Sequence, residues 1–151
     1  MANTQAMTTS FKVDLLNAVH AFSTAAPAHT ASTADSFKAA LYLATATLNA
    51  TTTAYSATGE ASGTGYTAGG IAVPNATAPT SSGTTAFWTP SGSLVYSGVT
   101  LTAFDTVFIY NSTQSNKAVS VHTFGSQTVT AGTFTLTMPT NAAGTALLNL
   151  A

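Results

Sequence analysis

The sequence predicts a mainly β chain: an antiparallel β-sandwich, immunoglobulin-like in kind, of about seven short strands with one short N-terminal amphipathic helix packed at an edge. Three observations carry this. Apolar and hydroxyl residues alternate at a period of two in the second half of the chain, most strictly where Phe134, Leu136 and Met138 interleave with Thr133, Thr135 and Thr137. Clusters of Asn, Ser and Gly between these runs supply reversals, so antiparallel meanders are the economical topology. Helical spacing is clearest near the N-terminus, where Phe11, Leu15, Ala18, Val19 and Phe22 fall at i, i+4, i+7, i+8 and i+11. At 151 residues the chain has the size of one domain, and 1–151 is read as such.

Residues 1–10 read as a flexible N-terminal arm. The helix follows between Ser10 and Phe22, with Thr8, Thr9 or Ser10 as its cap and Lys12, Asp14 and Asn17 on its polar side. Its apolar stripe must dock on a sheet or on a neighbouring subunit. Residues 23–34, which include Pro27 and show no periodicity, read as a long loop. From Ser36 to Leu43 the alternation of Phe37, Ala39, Leu41 and Leu43 with Ser36, Lys38, Ala40 and Tyr42 predicts a strand, although the Ala and Leu content also suits a helix. Between Thr45 and Gly70, Tyr55 and Tyr66 are isolated anchors, and GTGYTAGG (Gly63 to Gly70) requires turns with positive φ. After the short apolar piece Ile71 to Val73, residues 74–92 form a second long loop. Four strands are then predicted, at Ser93–Thr100, Thr102–Tyr110, Ala118–Phe124 and Thr133–Met138, with reversals at Asn111–Lys117 and Gly125–Gly132. Ala146 to Leu150 is a candidate for one more.

Charge sets the limits on partners. Only 5% of residues are charged, against about 25% in an ordinary domain. Three basic and four acidic side chains give a net charge of −1, so no basic face is available for a phosphate backbone or an anionic bilayer. Intrinsic disorder is disfavoured by a mean hydropathy of +0.28 and an aromatic fraction of 9%. With 31 Thr and 29 Ala the expected surface is neutral and rich in hydroxyls, which suggests a protein that works against a partner, as a homo-oligomer or in a larger assembly. The absence of cysteine excludes disulfides, thiolate metal sites and a Cys nucleophile. The first 22 residues lack the basic and apolar regions of a secretory signal, and no run approaches 18 apolar residues, so neither export by that route nor a membrane span is expected. The sequons at Asn49, Asn75 and Asn111 are what a Thr-rich composition generates by chance.

No catalytic, cofactor-binding or metal-binding residue is expected. The supply of acids and imidazoles is Asp14, Asp35, Glu60, Asp105, His20, His29 and His122, and it is scattered. Asp14 and His20, six apart on the predicted helix, belong to different faces. No G-x-S-x-G elbow presents a serine. The histidines have no paired spacing for zinc, and no two acids lie within ten residues as calcium would need. His122 reads as a half-buried strand histidine bonded to a neighbour. GTGYTAGG lacks the lysine of a phosphate-binding loop and reads as a turn. Tyr55, Tyr66 and Tyr96 suit ordinary packing better than carbohydrate stacking, and Trp88 in TTAFWTP suits an interface anchor and a core plug equally.

Two long segments, SFKAALYLATATLNATTTAYSATGEASGTGYTAGG (Ser36 to Gly70) and IYNSTQSNKAVSVHTFGSQTVTAGTFTLTMP (Ile109 to Pro139), resemble short structural proteins of tailed-bacteriophage virions. The FK-x-ALY, TAY…GE-x-SGTGYTAGG and YN-x-TQSNKAV…FG…VTAGTFT pieces occur in the same order. The resemblance implies a non-enzymatic virion protein, on the capsid exterior as a decoration (cement) protein bound to the major capsid protein, with a tail or baseplate accessory role, including receptor contact, as the alternative. A trimer at local threefold positions is the oligomer this implies. The expected contact residues, with the shell or a sister subunit, are Phe11, Leu15, Val19, Phe22 and Trp88. A third expectation, a cell-surface carbohydrate-binding domain, requires Tyr55, Tyr66 and Trp88 to share one exposed patch.

Overall fold

The structure, a computed structural model, describes residues 3–16, 19–20, 22 and 34–151. It is a mainly β fold of two antiparallel sheets and one short helix, as a β-sandwich requires. In chain order the elements are β1 (Ala6–Met7), α1 (Thr9–Leu16), β2 (Phe37–Leu43), β3 (Ile71–Ala72), β4 (Thr80–Ser82), β5 (Thr85–Trp88), β6 (Leu94–Asn111), β7 (Lys117–Leu136) and β8 (Leu148–Leu150). The larger sheet has the order β1-β7-β6-β2-β3, and the smaller has the order β4-β5-β8.

Where β2 lies, both faces of the large sheet are covered, which is why β2 is buried along almost its whole length rather than on alternate residues. On one face Phe37, Leu41, Val107 and Ile109 meet Phe11 and Phe22 from the N-terminal segment and Trp88 and Leu148 from the small sheet. On the other face Tyr42, Phe108, Tyr110 and Val121 pack beneath Ala46 and Leu48 from the long Thr-rich connection after β2.

The four strands expected after residue 93 are two long ones. The reversal at 112–116 is present, with Ser115 and Asn116 at positive φ, but the one expected at Gly125–Gly132 is not. There the chain bulges instead of turning. Between the pairs Tyr96–Phe134 and Val99–Gly132, β6 carries one residue more than β7. A surplus of one then passes to β7 before Leu101–Val129 and back to β6 before Phe104–Gln127, and β7 takes a surplus of two before Thr106–Thr123. One left-handed residue sits in each insertion: Gly98, Ala131, Ala103 and Gly125 in turn. Each inserted residue bends its strand and tightens the local twist, so the ribbon curls while staying paired.

Three other expectations are corrected. The N-terminal arm is docked over residues 3–10: Ala6 and Met7 pair with Val121 and Ser120, and Thr4 and Thr9 donate to the Leu48 and Ala50 carbonyls. The edge of β7 at Ser120–Val121 offers free backbone groups, and this segment satisfies them. The helix ends at Leu16 rather than Phe22. Thr8 is its cap, accepting the Phe11 N–H on its hydroxyl at 3.2 Å, and the Val19 N–H returns to the Asp14 carbonyl at 2.9 Å, the six-to-one bond of a helix C-terminus. Residues 74–92 contain the β4–β5 hairpin, turned at Gly83–Thr84 with Gly83 at φ +58° as a type II′ turn requires, and β8 pairs on β5. The loop expected at 23–34 lies, apart from Ala34, outside the described residues.

Candidate functional site

Among the described residues, the acids and imidazoles that could do chemistry are gathered into two buried networks and one pair, apart from Asp105, which accepts from Asn3 and Thr106; His29 lies outside the described residues. In the first, Glu60 accepts hydrogen bonds from the Tyr55 hydroxyl at 2.6 Å, the Tyr66 hydroxyl at 2.7 Å and the Gly69 N–H at 2.7 Å. Tyr110 donates to the Gly69 carbonyl at 2.8 Å, and Tyr55 stacks on Tyr110. Gly70 comes so close to β2 that a Cβ there would lie 1.8 Å from the Ala39 carbonyl oxygen, and its φ is +72°. The glycine-rich stretch is therefore a clasp pressed against the sheet edge, with a carboxylate as its pin. Burial, then the hydrogen bond to Glu60, push the Tyr66 and Tyr55 phenols well above their usual range, so both remain protonated donors.

The second network centres on Asn111, fully buried at the end of β6. Its amide nitrogen donates to Asp35 Oδ2 at 2.7 Å and lies 2.9 Å from His20 Nδ1; its oxygen accepts the N–H groups of Thr113 and Gln114. Because the amide can only donate, His20 Nδ1 accepts, and the imidazole proton sits on Nε2. That proton faces Asp14 Oδ2 at 3.7 Å, beyond hydrogen-bond reach, and Nε2 has no partner among the described residues. Asp14 instead takes the Lys117 ammonium on both oxygens, at 2.9 and 3.0 Å. Burial lowers the pKa of His20 against the opposing pull of Asp14 and Asp35. The network ties the N-terminal segment, the start of β2 and the β6–β7 reversal together.

Asp14 and His20, assigned to different helix faces by spacing, are thus neighbours, because the helix stops at Leu16 and His20 lies beyond it. The remaining pair, Ser120 and His122, has the Oγ to Nε2 contact of a nucleophile and its base, at 2.9 Å. Ser120 is 1% exposed, however, and no substrate can reach it in this conformation. Burial pushes the His122 pKa down to about 4. Among the described residues no group of three His, Asp or Glu side chains converges as a metal site would require, and no helix is long and apolar enough to cross a membrane.

Of the five expected contact residues, Phe11, Phe22 and Trp88 are buried in the chain's own core, 1%, 8% and 3% exposed. Phe22 stacks on Phe37 at 4.6 Å and meets Trp88 edge-on at 4.9 Å, and the Trp88 indole N–H donates to the Thr77 carbonyl at 2.8 Å. Trp88 is therefore a core plug with its polar atom satisfied. Leu15 and Val19 are half-buried. Phe11, Leu15, Phe22 and Trp88 do line one apolar pocket of about 100 Å³, closed on the other side by Phe87 and Leu150. Val19 is not part of it. A wider, shallower basin of about 550 Å³ lies over the connection after β2, lined by Thr45, Asn49, Thr51, Thr53 and Thr58 among others.

Tyr55, Tyr66 and Trp88 do not form one patch: the tyrosines converge on Glu60, and Trp88 is sealed between the sheets. What the sequence reading missed is that Glu60 and Asn111 are hubs. A lone acid among Tyr and Gly, and an Asn followed by Ser-Thr-Gln, carried that signal only as local turn chemistry. Comparison with protein-family models, with curated proteins and with solved structures finds no match to this chain.

Proposed function

We propose that the protein is a non-enzymatic structural component of a bacteriophage virion, a decoration protein that binds the assembled lattice of the major capsid protein from outside. The observation that carries this reading is where the residues of the virion-protein resemblance lie. Phe37 and Tyr42 of the FK-x-ALY piece are core residues. Tyr55, Glu60, Tyr66, Gly69, Gly70 and Tyr110 belong to the clasp, and Asn111, Gln114 and Lys117 to the second network. The resemblance therefore rests on the parts that hold this fold together, and a shared set of such parts supports a shared fold and use.

The same arrangement leaves little charge for partners. Asp14, Asp35 and Glu60 are spent internally, and the outer surface is largely Thr, Ser and Ala. Such a surface binds by shape, apolar contact and backbone hydrogen bonds, and its binding tolerates salt. By mass action, a protein that binds the assembled shell and not its free subunits stabilises the shell in proportion to affinity and occupancy.

The test is the copy number of the chain in purified particles, by quantitative mass spectrometry with the major capsid protein as internal standard. A ratio near one per capsid subunit, or one oligomer per local symmetry site, supports decoration. A few copies per hundred capsid subunits moves the protein to the tail or baseplate, and absence from particles overturns the reading.

A further inference from the structure

Among the described residues, nothing pairs with the outer edge of β7 from Thr123 to Leu136. The edge is covered from Lys117 to Val121, by Ala54 at Lys117, by Thr53 and Thr8 at Ala118 and Val119, and by β1 at Ser120 and Val121. From Thr123 to Leu136 the described backbone hydrogen bonds go to β6, through the ladder and through Ala131 N–H to Thr100 Oγ1, apart from a weak local bond from the Gln127 amide to the Gly125 carbonyl. Ser126, Gln127, Thr128, Thr130, Thr133 and Thr135 are exposed.

Two other long edges of the large sheet carry bonds from elsewhere in the chain. The outer side of β2 is bonded by Gly59 to Ala61, and the outer side of β6 near Thr100 by Thr64. The glycines flanking Thr64 allow that approach: a Cβ on Gly63 would lie 1.9 Å from the Thr100 oxygen, and one on Gly65 2.2 Å from the Gly98 oxygen. The chain thus supplies partners along β2 and near Thr100 of β6, and among the described residues supplies none to β7 from Thr123 to Leu136.

Proteins that must stay single block such an edge with Lys, Pro or an inward-pointing charge. The stretch from Ala118 to Met138 contains no Lys, Arg, Asp, Glu or Pro. Bulges at Gly125 and Ala131 interrupt it, which confines regular pairing to Gly132–Leu136.

We propose that this segment pairs edge to edge with the same segment of a second copy, antiparallel, about a two-fold axis at Phe134. The unmet backbone donors and acceptors call for another strand, and the side chains make this one self-complementary. In that register Thr133 lies opposite Thr135 on the solvent face, twice by symmetry. Phe134 meets Phe134, and the bulky Leu136 meets Gly132, which leaves it room. Cross-strand Thr pairs and aromatic pairs are favourable, and no charge opposes itself. The remaining strands at sheet edges, β1, β3, β4 and β8, are two or three residues long. Edge pairing therefore closes at two copies, not at the three expected from threefold lattice positions. The inference does not depend on the virion reading, because it concerns the isolated chain.

Sedimentation of the purified full chain over a broad concentration range is expected to show a reversible dimer. Thr133→Lys with Thr135→Lys in one chain sets two pairs of ammonium groups face to face and is expected to weaken the dimer about tenfold or more, with far-ultraviolet circular dichroism unchanged. Mixing that chain with its Thr133→Glu, Thr135→Glu counterpart is expected to restore pairing as a heterodimer. Because the chain has no cysteine, register can be read separately: Thr133→Cys and Thr135→Cys chains should cross-link readily when mixed and much less alone. A monomer at all concentrations, a dimer indifferent to the Lys pair, or equal cross-linking in mixed and single samples would each overturn the proposal. Should the Lys variant fail to fold, the nearly isosteric Cys pair still decides.

Discussion

Tyr66 holds Glu60 and Leu41 at once: its hydroxyl donates to Glu60 Oε1 at 2.7 Å and accepts the Leu41 backbone N–H at 2.9 Å. One phenol thereby fastens the glycine-rich clasp to the middle of β2, with both lone pair and proton in use. Tyr66→Phe is expected to lower unfolding stability by about 2 kcal/mol, and Glu60→Ala, which strands three donors, by about 3 kcal/mol or more. Urea midpoints at unchanged slope measure both.

Gly70 and Gly125 separate two reasons for glycine. Both have positive φ, at +72° and +81°, but a Cβ on Gly70 collides with β2 while one on Gly125 meets nothing within 4 Å. Gly125→Ala is expected to cost only the left-handed conformation, about 1 kcal/mol. Gly70→Ala should cost several times as much, or prevent folding, as judged by the same denaturation curves.

Asn111→Asp sets a carboxylate where the amide donates to Asp35 Oδ2 at 2.7 Å. Two carboxylates at that distance cannot both ionise freely. The variant is expected to lose roughly 2–4 kcal/mol at neutral pH and to recover part of it on mild acidification, before the histidines protonate. Paired pH titrations of thermal stability for both chains would display the crossover; parallel curves would refute it.

Stability should fall between neutral pH and pH 4. His122 has its pKa pushed down by burial from 6.5 to about 4, and burial lowers His20 as well. In this window the unfolded chain binds protons that the folded chain refuses, so stability is full above about 6.5 and is lost as pH falls toward 4, with no further loss from His122 below that. At about 1.4 kcal/mol per tenfold, the loss from His122 is roughly 2–3 kcal/mol. His122→Asn should flatten the profile in that range.

The strand at 37–43, the reversal after Asn111, the cap before Phe11 and the β class itself are legible in the sequence, because each depends on neighbours in the chain. The length of β6 is not. Its core-facing residues, Leu94, Tyr96, Val99, Leu101, Phe104, Val107 and Ile109, step by two, three, two, three, three and two. A strand read at period two breaks at every three. Glycine announces a left-handed backbone at 98 and 125, yet whether the chain there reverses or bulges is decided by the partner strand. The β4–β5 hairpin was hidden in the same way, since Ser, Thr and Gly supply loops and short exposed strands alike. The Asn111 network joins residues 76 and 103 positions apart, a relation that no local pattern carries, whereas the Glu60 hub gathers partners within nine positions that composition alone does not single out. Phe11 and Phe22 of the helical stripe, and Trp88, are legible as residues that need an apolar partner, but not as partners of one another.

The insertions that alternate between β6 and β7 also bear on what cannot form. A run such as TFTLTM is uncharged, lacks Pro and Gly and favours extended backbone, the composition from which stacked cross-β fibrils are built. Stacking of that kind needs flat strands repeating in register. A ribbon twisted at Gly98, Ala103, Gly125 and Ala131 presents each neighbour with a surface already turned away from the next, so the folded chain can offer an edge without seeding a fibre.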